Sequence, residues 1–313
     1  MVERKKGLVI AAVVIVALAL VPLFTGREYV FSILCMLFLY VTLSQSWNIL
    51  GGYTGQINVG QAAFFGMGAL VARLLWVAGA PFYLSILAGG LSSVILAIII
   101  GLPALKLRGH YFAIGTLAVA TIAQITVGNI LPGISFLPAQ QMATYSLIPR
   151  YYVFLIIMAA ALAAIYITVN SRVGLGMEAT RDDEEAAQMV GVNTFKYKMI
   201  AFVISSFFAG LAGGGFAYFN ASYYWYLPFT LMWCFEPILI VFIGGVGSFL
   251  GPVIGSVCYV LLKELFALTL GEANLLIFGI VFILTILFFP KGIIGLPAKL
   301  RQLFYRRGNV VGR

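Results

Sequence analysis

Ionisable side chains that could do chemistry within the apolar part of this chain are few. Four of them lie inside long apolar runs: Arg73, Glu236, Lys263 and Glu264. In a membrane such residues mark ion or proton pathways, so they allow an ion-coupled transporter of a small solute. Each also has a structural interpretation. Arg73 could extend its stem to the membrane surface, Glu236 could pack beside Pro237, and the Lys263 and Glu264 pair could lie near the outer end of its helix.

Catalytic and metal-binding chemistry finds no support in the sequence. His110 is the only histidine, and the three cysteines lie in apolar runs without CxxC spacing. No lysine is followed by Ser or Thr, so the GxxxxGK[ST] loop that cradles ATP is absent. We predict that the chain is not an enzyme and that it binds no metal or cofactor.

The composition indicates that most of the chain lies in a membrane. Hydrophobic residues make up 62% and charged residues 9%, against about 25% charged in soluble domains. A helix crosses the hydrocarbon core with about 20 apolar residues. Runs of this kind occupy residues 8–24, 29–50, 56–78, 82–103, 110–129, 150–169, 199–219, 230–247, 249–268 and 274–290. We predict an all-α, polytopic transmembrane bundle of about ten helices, forming one domain over residues 1–313.

The basic residues predict how this bundle is oriented. Of the 19 lysines and arginines, all but Arg27, Arg73, Arg150 and Lys263 fall on one side if the N-terminus is cytoplasmic. Short loops rich in Lys and Arg face the cytoplasm. Both termini and residues 171–198 are therefore expected in the cytoplasm.

Two glycine-rich stretches interrupt the apolar pattern, at residues 51–68 and 244–256. One interpretation is close helix packing through small residues. The other is that they form broken helices beside a translocation path, as in transporters built from two repeats. Under that interpretation, the residues beside the path are Gly55, Gln56, Asn58, Gly60, Gln61, Gly244 and Gly245.

The longest hydrophilic stretch covers residues 171–198 and contains an acidic cluster. Its apolar residues recur at helical spacing, which predicts one short helix from Gly176 to Val190 with a face that packs against protein. Gly191 should end that helix. A solvated loop with a charged face is the alternative.

Within this stretch, Glu185-Ala186-Ala187 followed by Gly191 forms an EAA-x3-G pattern. It resembles the coupling helix by which permeases of ABC importers dock onto their ATPase. Further motifs then resemble LivM-type permeases of branched-chain amino acid importers, in order along most of the chain. They are GYTGQINVGQAAFFGMGAL (52–70), GLPALKLRGHYFAIGTLA (101–118), AFVISSFFAGLAGG (201–214), IGGVGSFLGPVIG (243–255) and FFPKGIIGL (288–296).

This resemblance implies a transport subunit in a bacterial or archaeal cytoplasmic membrane, whose energy comes from other chains. The implied partners are a second permease subunit of the LivH type, two cytoplasmic ATPases that bind Mg-ATP, and an extracytoplasmic binding protein. The residues implied in ATPase coupling are Glu178, Arg181, Glu184, Glu185, Ala186, Ala187 and Gly191. Gln61 stands where the first family motif usually has histidine, and the substrate is expected to be a branched-chain amino acid or a related amino acid, amide or urea.

Overall fold

A computed structural model describes residues 14–22, 27–107, 109–137, 146–270, 279 and 292–295. Most of this part of the chain is α-helical. The helices are α1 (14–22), α2 (Glu28–Gly51), α3 (Gln61–Val77), α4 (Phe82–Ala104), α5 (His110–Ile130), α6 (Leu147–Val169), α7 (Arg172–Asp182), α8 (Glu184–Met189), α9 (Thr194–Phe219), α10 (Met232–Gly244) and α11 (Gly251–Leu270). Two short strands, β1 (Ile134–Phe136) and β2 (Ser222–Tyr224), form an antiparallel pair, and 3-10 turns lie at Leu227–Phe229 and Ile293–Gly295.

Among the described residues, five helices are long and apolar enough to cross a membrane: α2, α4, α5, α6 and α9. The apolar helices α3 and α10 are shorter. The chain is therefore mostly helical and carries membrane-spanning candidates, as expected from its composition. The predicted span at 274–290 lies outside the described residues apart from residue 279, and the number of ten spans stays a prediction.

Small residues bring the central helices together. Helix α9 packs against α2, α3, α4 and α6. Where α3 meets α9, a Cβ on Gly68 would overlap the backbone of Gly210, so only glycine allows this approach. The Ser93 hydroxyl of α4 donates to the Phe64 carbonyl oxygen of α3 at 2.8 Å. Close packing through small residues, one of the two interpretations of the stretch at 51–68, therefore occurs at Gly68, its last residue.

The end of the bundle formed by β1 and β2 contains the buried Arg73. Its guanidinium donates to the carbonyl oxygens of Asn220 and Ala221 at 2.9 and 3.0 Å and lies over the Tyr223 ring. The residue is fully buried. The interpretation that Arg73 extends to the membrane surface is therefore wrong, because backbone acceptors at the end of α9 solvate the guanidinium inside the protein.

Candidate functional site

Both glycine-rich stretches interrupt helices. Helix α2 ends at Gly51 and α3 begins only at Gln61, while α10 ends at Gly244 and α11 begins at Gly251. The predicted span at 56–78 therefore starts too early, because residues 55–60 are not helical. We call residues 52–60 and 245–250 together the glycine junction. A Cβ on Gly52 would meet the Gly247 nitrogen at 2.6 Å, so the two segments are in contact.

The side chain of Asn48, in the last turn of α2, joins helix α2 to the second segment of the junction. Its Oδ1 accepts from the Gly247 N–H at 2.9 Å, and its Nδ2 donates to the Ser248 carbonyl oxygen at 3.0 Å. Gly247 has a φ of +72°, which favours glycine. Gln45, one turn earlier, donates to the Phe249 carbonyl oxygen. The polar face at the end of α2 thus fixes the turn between α10 and α11.

The first segment of the junction is held by a second buried network. Asn58 Oδ1 accepts from the Gly60 N–H at 2.8 Å, and Asn58 Nδ2 donates to Gln61 Oε1 at 2.8 Å. Gln61 Nε2 donates to Ser46 Oγ at 2.8 Å. Asn58, Gly60 and Gln61 are buried, whereas Gly55 is exposed. These hydrogen bonds hold the non-helical backbone before α3 in place, so the buried amides first serve the structure of the junction.

Arg181 of α7 connects the hydrophilic stretch to this junction. Its Nη1 donates to the Gly52 carbonyl oxygen at 3.1 Å, and its side chain also lies next to Gly55 and Gly247. Tyr53 is close by, and burial raises the pKa of its phenol to about 12. The nearby Glu178 carboxylate also raises this pKa, whereas the Arg181 guanidinium lowers it. The phenol therefore stays uncharged between the two charged groups.

The hydrophilic stretch contains two helices rather than the single one expected over 176–190. Helix α7 ends at Asp182, and Asp183 takes an extended conformation. Asp183 Oδ1 accepts from the N–H groups of Glu185 and Ala186, both at 3.0 Å, and thereby caps α8. The prediction of one continuous helix is wrong because an aspartate gains more as an N-cap than inside a helix.

Gly191 ends α8 as expected. Gly191 has a φ of +86°. Its N–H donates to the Gln188 carbonyl oxygen, and the Val192 N–H donates to the Ala187 carbonyl oxygen. This pair of bonds is the Schellman arrangement, in which glycine follows the last helical turn.

Helix α8 is fixed to α9 on one side and open on the other. Lys198 Nζ donates to Glu184 Oε2 at 2.6 Å, with the Lys198 side chain almost fully buried. Ala187 is also buried, whereas Ala186 is exposed. The expectation that both alanines face a partner is therefore corrected: Ala187 packs inside this chain. The exposed apolar residues are Met189 and Val190, at 86% and 79%.

Two of the ionisable residues found in apolar runs form an ion pair between the buried Glu236 and the partly exposed Lys263. Lys263 Nζ lies 2.9 Å from Glu236 Oε1, and Tyr40 and Tyr259 donate to the same carboxylate. Sequence reasoning missed the two tyrosines and Asn48, since none belongs to a motif. The signal for Asn48 was its place in a run of polar residues, including Ser44, Gln45 and Ser46, near the end of an apolar helix.

These features define a helical membrane protein with a hydrogen-bonded junction of broken helices and a polar segment docked on it. Within the described ranges, no group of three His, Cys, Asp or Glu side chains is placed to hold a metal ion. The chain belongs to the family described as branched-chain amino acid transport system / permease component, whose model matches residues 29–286.

Characterised relatives agree with this family. The chain is 28% identical to the high-affinity branched-chain amino acid transport system permease protein LivM of Salmonella typhimurium, and 27% identical to the protein of that name from Escherichia coli. Both matches cover 98% of this chain and 79% of the relative. A probable LivM of Methanocaldococcus jannaschii is 24% identical over 82% of this chain and 90% of the relative. No solved structure matches the chain significantly.

Proposed function

We propose that this chain is a permease subunit of an ABC importer that carries branched-chain or closely related amino acids across the cytoplasmic membrane. The observation that carries the proposal is the Glu185-Ala186-Ala187-x3-Gly191 segment, folded as a short capped helix with an exposed apolar tip. Family membership and the printed names of the relatives support the substrate class.

The proposed partners are a second, LivH-type permease subunit, two cytoplasmic ATPases and an extracytoplasmic binding protein that delivers the substrate. Mg-ATP would bind to the ATPases, since this sequence has no GxxxxGK[ST] loop. The chain itself would be a transport subunit without catalytic residues. Its membrane surface would contact lipid, and nucleic acid is not a proposed partner.

The proposed mechanism begins at α8. Closure of the ATPases on ATP would move α8, and the Glu184 to Lys198 pair would carry that motion into α9. Arg181 would carry it into the glycine junction through the Gly52 carbonyl. Because both segments of the junction are hydrogen-bonded to α2, the helices would shift as packed bodies and change the side from which the path opens.

Docking on the ATPase is tested at the tip of α8. Met189→Ser with Val190→Ser removes exposed apolar surface without changing this chain's own core. We expect both the co-purifying ATPase and leucine uptake to be lost. Gly191→Val, which forces a β-branched residue into a positive φ, should have the same effect.

Ile130→Ser is the matched control, since Ile130 is 71% exposed at the last residue of α5. That variant should keep both the ATPase and uptake. If the Met189 and Val190 variant retains the ATPase and transports at the wild-type rate, α8 is a solvated turn and the coupling proposal is wrong.

The proposed topology has about ten spans, both termini and residues 171–198 in the cytoplasm, and a single domain over residues 1–313. The distribution of lysine and arginine supports it. An impermeant thiol reagent applied to intact cells should leave Asp182→Cys unmodified and should modify Phe136→Cys. Both side chains are exposed in the fold. Modification of Asp182→Cys but not of Phe136→Cys would mean that the chain has the opposite orientation.

An ion-coupled secondary transporter is the second candidate, and the ion pair between the buried Glu236 and Lys263 is the observation in its favour. The two functions differ in their energy source. An importer should lose uptake when the ATPase is inactivated and keep it when a protonophore collapses the proton gradient at constant ATP. The opposite pattern would establish the secondary transporter.

A further inference from the structure

A large cavity lies away from the glycine junction. Its volume is about 550 Å³, within the range of about 300–1,000 Å³ that is usual for small-molecule sites. It reaches from Tyr29 to Tyr40 along α2, and Tyr29 is about 33 Å from Gly51 along that helix at 1.5 Å per residue. The cavity therefore occupies the opposite half of the bundle from α7 and α8. We call it the charged cavity.

One wall of the charged cavity is the Glu236 and Lys263 pair. Glu236 is 7% exposed, and its carboxylate accepts from Tyr40 at 3.0 Å, from Tyr259 at 2.6 Å and from Lys263 at 2.9 Å. Lys263 also donates to the Tyr40 hydroxyl at 2.6 Å, which leaves one N–H of its ammonium beyond these two bonds. The Lys263 side chain is 40% exposed. Glu236 therefore holds an ammonium group that faces the cavity.

The neighbouring Glu264 adds a carboxylate to the same cavity, and the Tyr29 hydroxyl donates to it. The remaining lining is largely aromatic and aliphatic, with Met36, Phe216, Trp233 and Val260 among its residues. One cation and one anion from consecutive positions of α11 thus stand beside an apolar surface. Each group of an α-amino acid with an aliphatic side chain has a complement there.

We infer that the charged cavity binds an α-amino acid as its zwitterion, with the ligand carboxylate on Lys263, the ligand ammonium on Glu264, and the aliphatic side chain against Trp233 and Phe216. This inference rests on the proposed role in amino acid import and assigns that role a binding site within the permease. Glu236 acts as a positioning residue, since its oxygens are occupied by Lys263 and the two tyrosines.

The competing explanation is an ion pair that only holds α10 and α11 together. Removing Lys263 alone would leave a buried carboxylate without its cation and could impair folding under either explanation. The joint substitution Glu236→Gln with Lys263→Met removes both charges, and the loss of both partners of an ion pair is often tolerated. A structural pair predicts near-normal transport in this double variant, whereas a binding site predicts its loss.

Direct binding is measured on the purified chain, without partners. Ser32 lines the charged cavity, so Ser32→Cys should react with a small charged thiol reagent. The parent chain is labelled in parallel, so that the reaction of its native cysteines can be subtracted. Leucine should slow the reaction. Leucinamide, which lacks the carboxylate, and 4-methylpentanoate, which lacks the ammonium, should each protect about tenfold less well or worse. Adding the double substitution should abolish protection by leucine.

Uptake through the assembled importer gives the second measurement. The double variant and Glu264→Gln should each lose leucine uptake by about tenfold or more while the ATPase still co-purifies. Lys196→Met, a change at an exposed lysine, is the control and should transport normally. The inference is overturned if leucine up to its solubility does not protect Ser32→Cys, or if the double variant transports at the wild-type rate. Protection by leucine without ATP-dependent uptake would instead overturn the importer proposal, and the charged cavity would still be a binding site for an amino acid.

Discussion

The glycine junction and the charged cavity both bury polar side chains, but they use them differently. In the junction, both amide atoms of Asn48 bond to backbone groups of the α10 to α11 turn, and Asn58 bonds to Gly60 and Gln61. In the cavity, Lys263 is held by Glu236 and Tyr40, yet its side chain stays 40% exposed and lines the open volume. Polar side chains whose hydrogen bonds are all made within the protein stabilise its structure, whereas a charged side chain that is held in place beside a cavity can bind a ligand.

The close packing of the junction makes it sensitive to added bulk, and we expect the largest effect on stability from Gly60→Leu. A Cβ on Gly60 would overlap the Thr116 backbone of α5, which cannot move as a side-chain tip could. We expect a loss of about 3 kcal/mol or more in unfolding free energy and no uptake. Thermal unfolding in detergent measures the first effect.

Gly128→Leu is the control for this substitution, since its Cβ would lie 3.6 Å from Tyr226, an ordinary contact. Wild-type unfolding and uptake in Gly60→Leu would show that the junction is loosely packed and would remove the contrast with the cavity.

The second prediction compares the loss of Lys263 alone with the loss of both charges of the ion pair. Lys263→Met alone should destabilise the permease by about 3 kcal/mol, because Glu236 stays buried without its cation. The double variant with Glu236→Gln should remain within about 1 kcal/mol of the wild type. Equal destabilisation of both variants would mean that the pair is needed for the fold, and the cavity would then resemble the junction.

The third prediction concerns the amide that bridges α2 and the second segment. Asn48→Ala removes the acceptor for Gly247 N–H and the donor to Ser248, so we expect a loss of about 1–3 kcal/mol. Asn170→Ala, at an exposed amide that bonds to Tyr166 of its own helix, is the control. An Asn48 variant as stable as the control would show that water replaces the bridge.

Apolar runs located most of the described helices, because this pattern acts within a few residues. For the two glycine-rich stretches, interrupted helices were one of two interpretations, and the structure contains both interruptions. The extended Asp183 was missed since capping of α8 competes with the helix-forming residues on either side. The contacts of Glu236 could not be foreseen: Tyr40 precedes it by 196 residues, and only the folded bundle brings them together. For the same reason, the sequence identified Lys263 as an ionisable residue in an apolar run but could not predict the cavity beside it.

The coupling residues were named from a family resemblance, and their roles stay predictions. The structure adds that Glu184 and Ala187 already serve the permease's own packing. Variants at those two positions would therefore mix folding with docking. Arg181 is better suited to a test, because it lies between the hydrophilic stretch and the glycine junction.

Arg181→Met should have the smallest effect on stability and still stop transport. The Arg181 side chain is 39% exposed and its pair with Asp182 is open to water, so its removal should cost less than about 1 kcal/mol. The Met189 and Val190 tip of α8 is untouched, so the ATPase should still co-purify. The link to the Gly52 carbonyl is lost, however, and ATP hydrolysis should then proceed without leucine uptake. Arg172→Met, at an exposed residue of the same helix, should transport normally. If Arg181→Met also transports normally, α7 does not act on the junction through this residue, and the motion of α8 must reach the bundle through Glu184 and α9.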